Sequence, residues 1–186
     1  MNLYPNVVFV HILSALGLFL GYGLEWTVSA LLRHSSTTDQ ARAWLRVYRV
    51  SAPVTGVSLA VLILSGGWLA ALTGGMKQDW LIVSVAGIVV ALLIGFALIL
   101  PRVSAIREAL PEGNLPLPPE ALLRLQSAAL PTLSRVRVLL AAGIVYLMTT
   151  KPPLGASLIV LAASIVIGVL FSITSWSRGS AKNAAV

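Results

Sequence analysis

Residues 7–32 read VVFVHILSALGLFLGYGLEWTVSALL. A run of this length can cross a bilayer, since the hydrocarbon core takes about 20 apolar residues of helix. It is not uniformly apolar. At about 100° per residue, His11, Ser14, Ala15, Leu18, Tyr22, Glu25 and Ser29 share one face, while Ile12, Leu13, Leu16, Phe19, Leu20 and Leu31 share the other. The stripe holds the only histidine and the only glutamate inside any apolar segment. An all-α polytopic membrane bundle is the fold class this stretch predicts.

Composition agrees. Of 186 residues, 58% are hydrophobic and 10% charged, against about 25% charged in soluble domains. The mean hydropathy is +0.92. The length fits one transmembrane domain, 1–186. With no cysteine, the chain itself supplies no disulfide, thiolate metal site or iron–sulfur ligand. The net charge of +7 reflects basic residues gathered at the ends of apolar runs. That distribution is a topology signal and argues against a nucleic-acid partner. The first six residues carry no Lys or Arg and so lack the basic start of a secretory signal, which reads as a retained first helix.

Four further spans are expected, at about 50–72, 80–100, 131–150 and 154–176. Thr37 and Gln40 resemble a capping box that opens a helix rich in Arg42, Trp44, Arg46, Tyr48 and Arg49, a mix suited to the headgroup zone. Pro53 is expected to kink the second span. The turn at 73–79 is short, which predicts adjacent second and third helices, with Asp79 as N-cap of the third and Pro101 at its end. Residues 102–130 read as a cytoplasmic proline-rich loop followed by a short amphipathic helix. That helix either lies on the membrane surface or extends the fourth span across Pro131. The fourth span carries Arg135 and Arg137 in its first turns. With the N-terminus outside, eleven of the thirteen Lys and Arg lie inside, and only Lys77 and Lys151 outside. The Lys/Arg rule thus gives five helices, N-out and C-in.

Two constellations could carry chemistry. Glu25 lies about 12 Å inside Arg33, and Arg137 about 9 Å inside Pro131, at 1.5 Å rise per residue. Their depths match, so Glu25 is expected to pair with Arg135 or Arg137, as a proton or substrate relay or as a structural ion pair. His11 lies near the outer face with Met1, Met76 and Met148, and Tyr22 lies between His11 and Glu25. Imidazole and thioether together suit Cu(I), and one imidazole can hold haem iron. The alternative for His11 is a packing role, with Tyr4, Ser14 or Tyr146 as hydrogen-bond partner. Gly17 and Gly21, and Gly87, Ala91 and Gly95, recur every four residues. Such spacing suits a close helix neighbour or a homo-oligomer seam. No nucleotide-binding, zinc-protease or hydrolase motif is present, which favours a component without enzymatic activity.

His11-Ile12-Leu13-Ser14-Ala15, then Gly17, Gly21 and the basic end at Arg33, resemble the opening helix of a group of small bacterial membrane proteins. The group includes a predicted integral-membrane family of unknown function. It is similar in style to CopD-type copper-resistance proteins and to haem-binding membrane proteins of the protoporphyrinogen-oxidase type. That resemblance implies haem or copper handling at His11, although the further membrane histidines expected of such members are absent. Three roles stay open: a packing component, a haem or copper handler, and a proton-coupled carrier.

Overall fold

The computed structural model describes the backbone of residues 3–183, and side chains for 3–75 and 77–172. The described residues form seven α-helices: α1 (Tyr4–Leu32), α2 (Thr38–Leu72), α3 (Asp79–Leu93), α4 (Leu100–Glu108), α5 (Pro119–Gln126), α6 (Ala129–Thr150) and α7 (Leu154–Asn183). A π-helical stretch, Ile94–Ile99, fuses α3 and α4 into one rod. Five of the resulting segments are long and apolar enough to span a membrane. The fold is all-α, as the first helix implied.

The helix ends differ from expectation for local reasons. Thr37 caps α2, its side chain accepting from the Gln40 backbone N–H, as the capping box predicted. The headgroup-zone helix and the second span are then one helix of 35 residues that runs through Pro53. The third span does not stop at Pro101 but continues to Glu108. A proline inside a helix removes one backbone donor and crowds the carbonyl four residues back, here that of Ala97. The wider π turn lies immediately before it, and such bulges accommodate local strain without ending a helix. Asp79 does not cap its own helix. Its Oδ2 accepts from the Leu154 backbone N–H at 3.2 Å, so it caps α7 across the bundle. In the same place the Lys151 ammonium lies 5.7 Å from the Trp80 ring centroid, which holds the two turns together at this end.

The alternative left open for 121–130 resolves as a separate helix. The α5 helix ends at Gln126, and α6 begins at Ala129 with Pro131 in its first turn, where an N–H has no intrahelical acceptor. Ala121 and Leu125 are buried in a cluster with Val28, Leu32, Ala41, Leu45, Ile106 and Leu130. The amphipathic helix therefore plugs the basic end of the bundle. The expected shape of the last span also changes, because α7 continues past residue 176 to Asn183.

Packing centres on α6. It contacts α1, α3 and α7, while α2 lies along α1. Half of the most apolar stretch of the fourth span is buried, against 11% to 28% for the others. A span interrupted by two arginines is tolerable there because it faces protein more than lipid. The second and third spans, expected to be neighbours, meet at their shared turn and again where α2 touches α4, with little backbone contact between.

Thr38 ties the 109–118 loop to α2. It is fully buried, and its hydroxyl donates to the Gly113 carbonyl at 2.5 Å while accepting from the Leu115 N–H at 3.0 Å. Its own N–H donates to the Leu115 carbonyl at 3.0 Å. Arg42 adds bonds to the carbonyls of Leu110 and Pro111. Thr38→Val keeps the shape and removes the hydroxyl, so the bonds to Gly113 and Leu115, both exposed residues, are lost at about 0.5–1.5 kcal/mol each. We expect a lower Tm in detergent and faster cleavage by glutamyl endopeptidase at the exposed Glu112. Unchanged cleavage would show that the loop is held by other contacts.

Candidate functional site

The polar stripe of α1 is its buried face. Ser14, Leu18, Gly21, Tyr22, Glu25 and Ser29 are buried, while Ile12, Leu13, Leu16 and Leu20 on the other side are more than half exposed. Lipid takes the apolar face and the bundle takes the polar one. Turned inward, the stripe presents two sites to its neighbours.

The inner site is an ion pair. Arg137 of α6 donates from Nη1 to Glu25 Oε2 at 2.6 Å, with the two side chains only 7% and 8% exposed. The Tyr22 ring lies under the guanidinium, 4.1 Å from centroid to carbon. Gly95 closes another side, since a Cβ there would sit 3.1–3.4 Å from three guanidinium atoms. The choice left open by the sequence falls to Arg137. Arg135 points elsewhere, 5.6 Å from the Trp26 ring and 5.5 Å from that of Phe171, with Nη1 donating to the Phe171 carbonyl at 3.4 Å.

The pair is not fully saturated. Glu25 Oε1 and Arg137 Nε have no hydrogen-bond partner among the described residues, and the buried Ser134 hydroxyl donates to the Leu130 carbonyl instead. Both ions border a cavity of about 160 Å³ that also touches Tyr48, Ser51 and Thr55. Tyr48 was expected only as a headgroup-zone residue, and Ser51 and Thr55 escaped notice because the orientation of their helix is determined only by the fold.

The second site surrounds His11. Its Nδ1 lies 3.0 Å from Ser65 Oγ of α2, a partner not foreseen; Ser14 donates instead to the Val10 carbonyl. Gly66 leaves room for the ring, for a Cβ there would be 3.0 Å from His11 Cε1. His11 and Met148 border one cavity of about 40 Å³, otherwise apolar, which Tyr22 also lines. The space suits a guest the size of a water or a single ion and is far too small for a porphyrin. The Met76 side chain and Met1 lie outside the described residues. Among the described residues no three His, Asp or Glu cluster as a metal site.

The small-residue stripes serve contacts within the chain. Gly17 and Gly21 face Ser58 and Thr55 of α2, and Gly87 faces Leu161 and Ile144. Ala91 is buried beside Leu140 and Val136. Gly143 meets Ser164, and Gly168 meets the Val136 backbone, along the α6–α7 seam. The close neighbour that the spacing called for is another helix of the same chain.

Comparison with known proteins adds one finding. A family model described as a predicted integral membrane protein, DUF2269, matches residues 5–152. The chain belongs to this family. The match spans α1 through the whole of α6 and so includes His11, Glu25 and Arg137. No curated protein and no solved structure shows significant similarity to the chain. The family is an integral-membrane one of unknown function, so the chemistry of the site must be argued from its geometry.

That geometry makes a contrast between two glycines. Gly95→Ala pushes a methyl against a pinned guanidinium, and overpacking costs about 1–3 kcal/mol. Gly56→Ala on α2 meets nothing within 4 Å and gains helix propensity of about 0.5–1 kcal/mol. Thermal unfolding in detergent should move down for the first and level or up for the second; equal shifts would mean that Arg137 is not held against Gly95.

Proposed function

We propose that this protein is a small multi-pass component of a bacterial inner membrane, N-out and C-in, that works through its packed bundle and not through a reaction of its own. The orientation is supported by the Lys/Arg count, eleven residues against two. The observation that carries the reading is the closure of the Glu25–Arg137 pair, at 2.6 Å and buried on both sides. An ion in the membrane is expensive and is usually paired or hydrated. A pair joining α1 to α6, capped by an aromatic ring and by a glycine, has the form of a structural clamp between the N-terminal and central helices.

A second reading has its own support. Glu25 Oε1 and Arg137 Nε face no partner among the described residues, and a cavity of about 160 Å³ adjoins both side chains. A proton-coupled carrier would use this carboxylate with the guanidinium beside it. The haem alternative has no support in the space at His11. Copper handling rests on His11 and Met148 alone, bordering one small cavity.

Removing one ion separates clamp from carrier. Breaking a buried pair from one side costs about 3–5 kcal/mol, whereas replacing both ions with apolar groups is often neutral. For a clamp, Glu25→Gln and Arg137→Met should each lower Tm strongly, and the double variant Glu25→Leu with Arg137→Met should recover most of the loss. For a carrier, Glu25→Gln should leave Tm nearly unchanged and abolish pH-driven flux in proteoliposomes. That second outcome would overturn the clamp.

A further inference from the structure

We propose that the groove between α2 and the α3–α4 rod binds an anionic phospholipid, with its phosphate on Arg46, Arg49 and Arg107 and an acyl chain running inward past Gly56. This goes beyond the reading above and does not depend on it.

The mouth of the groove is a cavity of about 570 Å³ at the basic end of the bundle, lined by Arg42, Arg46, Arg49, Arg107, Tyr48 and Ser104 among others, and by no carboxylate. Arg42, Arg46 and Arg49 lie four and three residues apart, so they share one face of α2. Arg42 is turned to the carbonyls of Leu110 and Pro111 and frames the mouth. Arg46, Arg49 and Arg107 are exposed, and among the described residues the ion pairs are Glu25–Arg137 and Glu120–Arg124. Three guanidinium groups thus line one mouth with no ion-pair partner among the described residues. Guanidinium groups suit phosphate oxygens through paired N–H donors.

A free anion would use the mouth alone. What favours a lipid is the continuation. Tyr48, Ala52 and Leu100 border both the mouth and the inner cavity of about 160 Å³, so the two adjoin and together make the groove we assign to the lipid. Its inner walls are mostly apolar, with Gly56 and Leu59 on α2 and Leu92, Gly95 and Phe96 on the facing rod, and the Glu25–Arg137 pair, Ser51 and Thr55 also border it. Phe96 is 69% exposed. From Arg49 to Leu59 is ten residues, about 15 Å along a helix, which is one leaflet of a hydrocarbon core about 30 Å thick. The groove lies where the backbones of α2 and α3 make little contact, and its basic mouth and mostly apolar length match the two ends of a phospholipid.

The test uses the full-length protein in detergent, exposed to dioleoyl phosphatidylglycerol or dioleoyl phosphatidylcholine, with retained lipid counted by mass spectrometry of the intact protein. Arginines at a membrane surface attract anionic lipid appreciably. We expect at least tenfold preference for phosphatidylglycerol, and at least a tenfold fall in that preference for R46Q/R49Q. Gly56→Leu, which adds bulk where a Cβ meets open space and leaves charge unchanged, should also cut retention several-fold. R102Q/R124Q removes the same charge from a separate surface and should leave the preference intact. The proposal is overturned by equal retention of the two lipids, by equal losses in the two arginine pairs, or by full retention in Gly56→Leu. Displacement of the lipid by millimolar inorganic phosphate would also overturn it, as a free-anion site. Circular dichroism melts of each variant accompany the binding, and because all four arginines are exposed or half-exposed, their loss is expected to leave the fold intact.

Discussion

A charge buried in hydrocarbon must find an opposite charge or water, and the arrangement of α1 and α6 follows from that constraint. Arg137 sits at a depth that a span on the bundle surface could not easily tolerate. Placing α6 in the centre, against α1, α3 and α7, hides the guanidinium from lipid and brings it to Glu25. The pair alone is weak evidence for stability, because desolvation of two ions offsets much of their attraction. Its firmer consequence is register. With Arg137 bonded to Glu25 and stacked over Tyr22 one turn earlier, α1 cannot slide or rotate against α6 without leaving a charge unpaired.

Around this pair, close approach is provided by small residues. Without a hydrophobic drive between helices in lipid, packing and interhelical polar contacts hold spans together. Gly17 and Gly21 admit Ser58 and Thr55, and Gly143 and Gly168 admit Ser164 and the Val136 backbone. Each seam uses a glycine on one helix and a small or β-branched residue on the other. The α2 helix spends its small face on α1, which leaves its opposite side toward lipid. The groove beside α3 is thus a product of which face of α2 carries the residues that fit α1.

Much of this was legible in the chain. The five spans, the inward stripe of α1 and the matching depths of Glu25 and Arg137 follow from periodicity and rise per residue. What was not legible has physical causes. Choosing Arg137 over Arg135 depends on the rotation of α6, since residues two apart point about 200° apart. Pro101 looked like an end because proline usually stops a helix, but the π turn at Ile94–Ile99 changes the local register. Asp79 looked like a cap for its own helix, whereas Leu154, distant in sequence, supplies the N–H it accepts. Ser65 could not be named as the partner of His11 because helix pairing, not local sequence, brings α2 to that depth. The pinning of the loop by Thr38 joins positions 75 residues apart in sequence, and no local pattern reports it.

The two polar sites of α1 are separated by more than distance. Tyr22 is 2% exposed; it lines the His11 cavity with its ring while stacking on Arg137. It therefore lies between His11 and the Glu25–Arg137 pair, while Leu59 borders both cavities. A solute or proton moving along the bundle axis would have to displace a ring held on one side by a cation and on the other by packed apolar residues. Lateral access meets no such ring, because the cavity at Glu25 adjoins the groove that opens between α2 and the α3–α4 rod. The pair itself is nearly enclosed, its side chains 7% and 8% exposed, and its shielding comes from the bundle, with the Tyr22 ring on one side of the guanidinium and Gly95 on another.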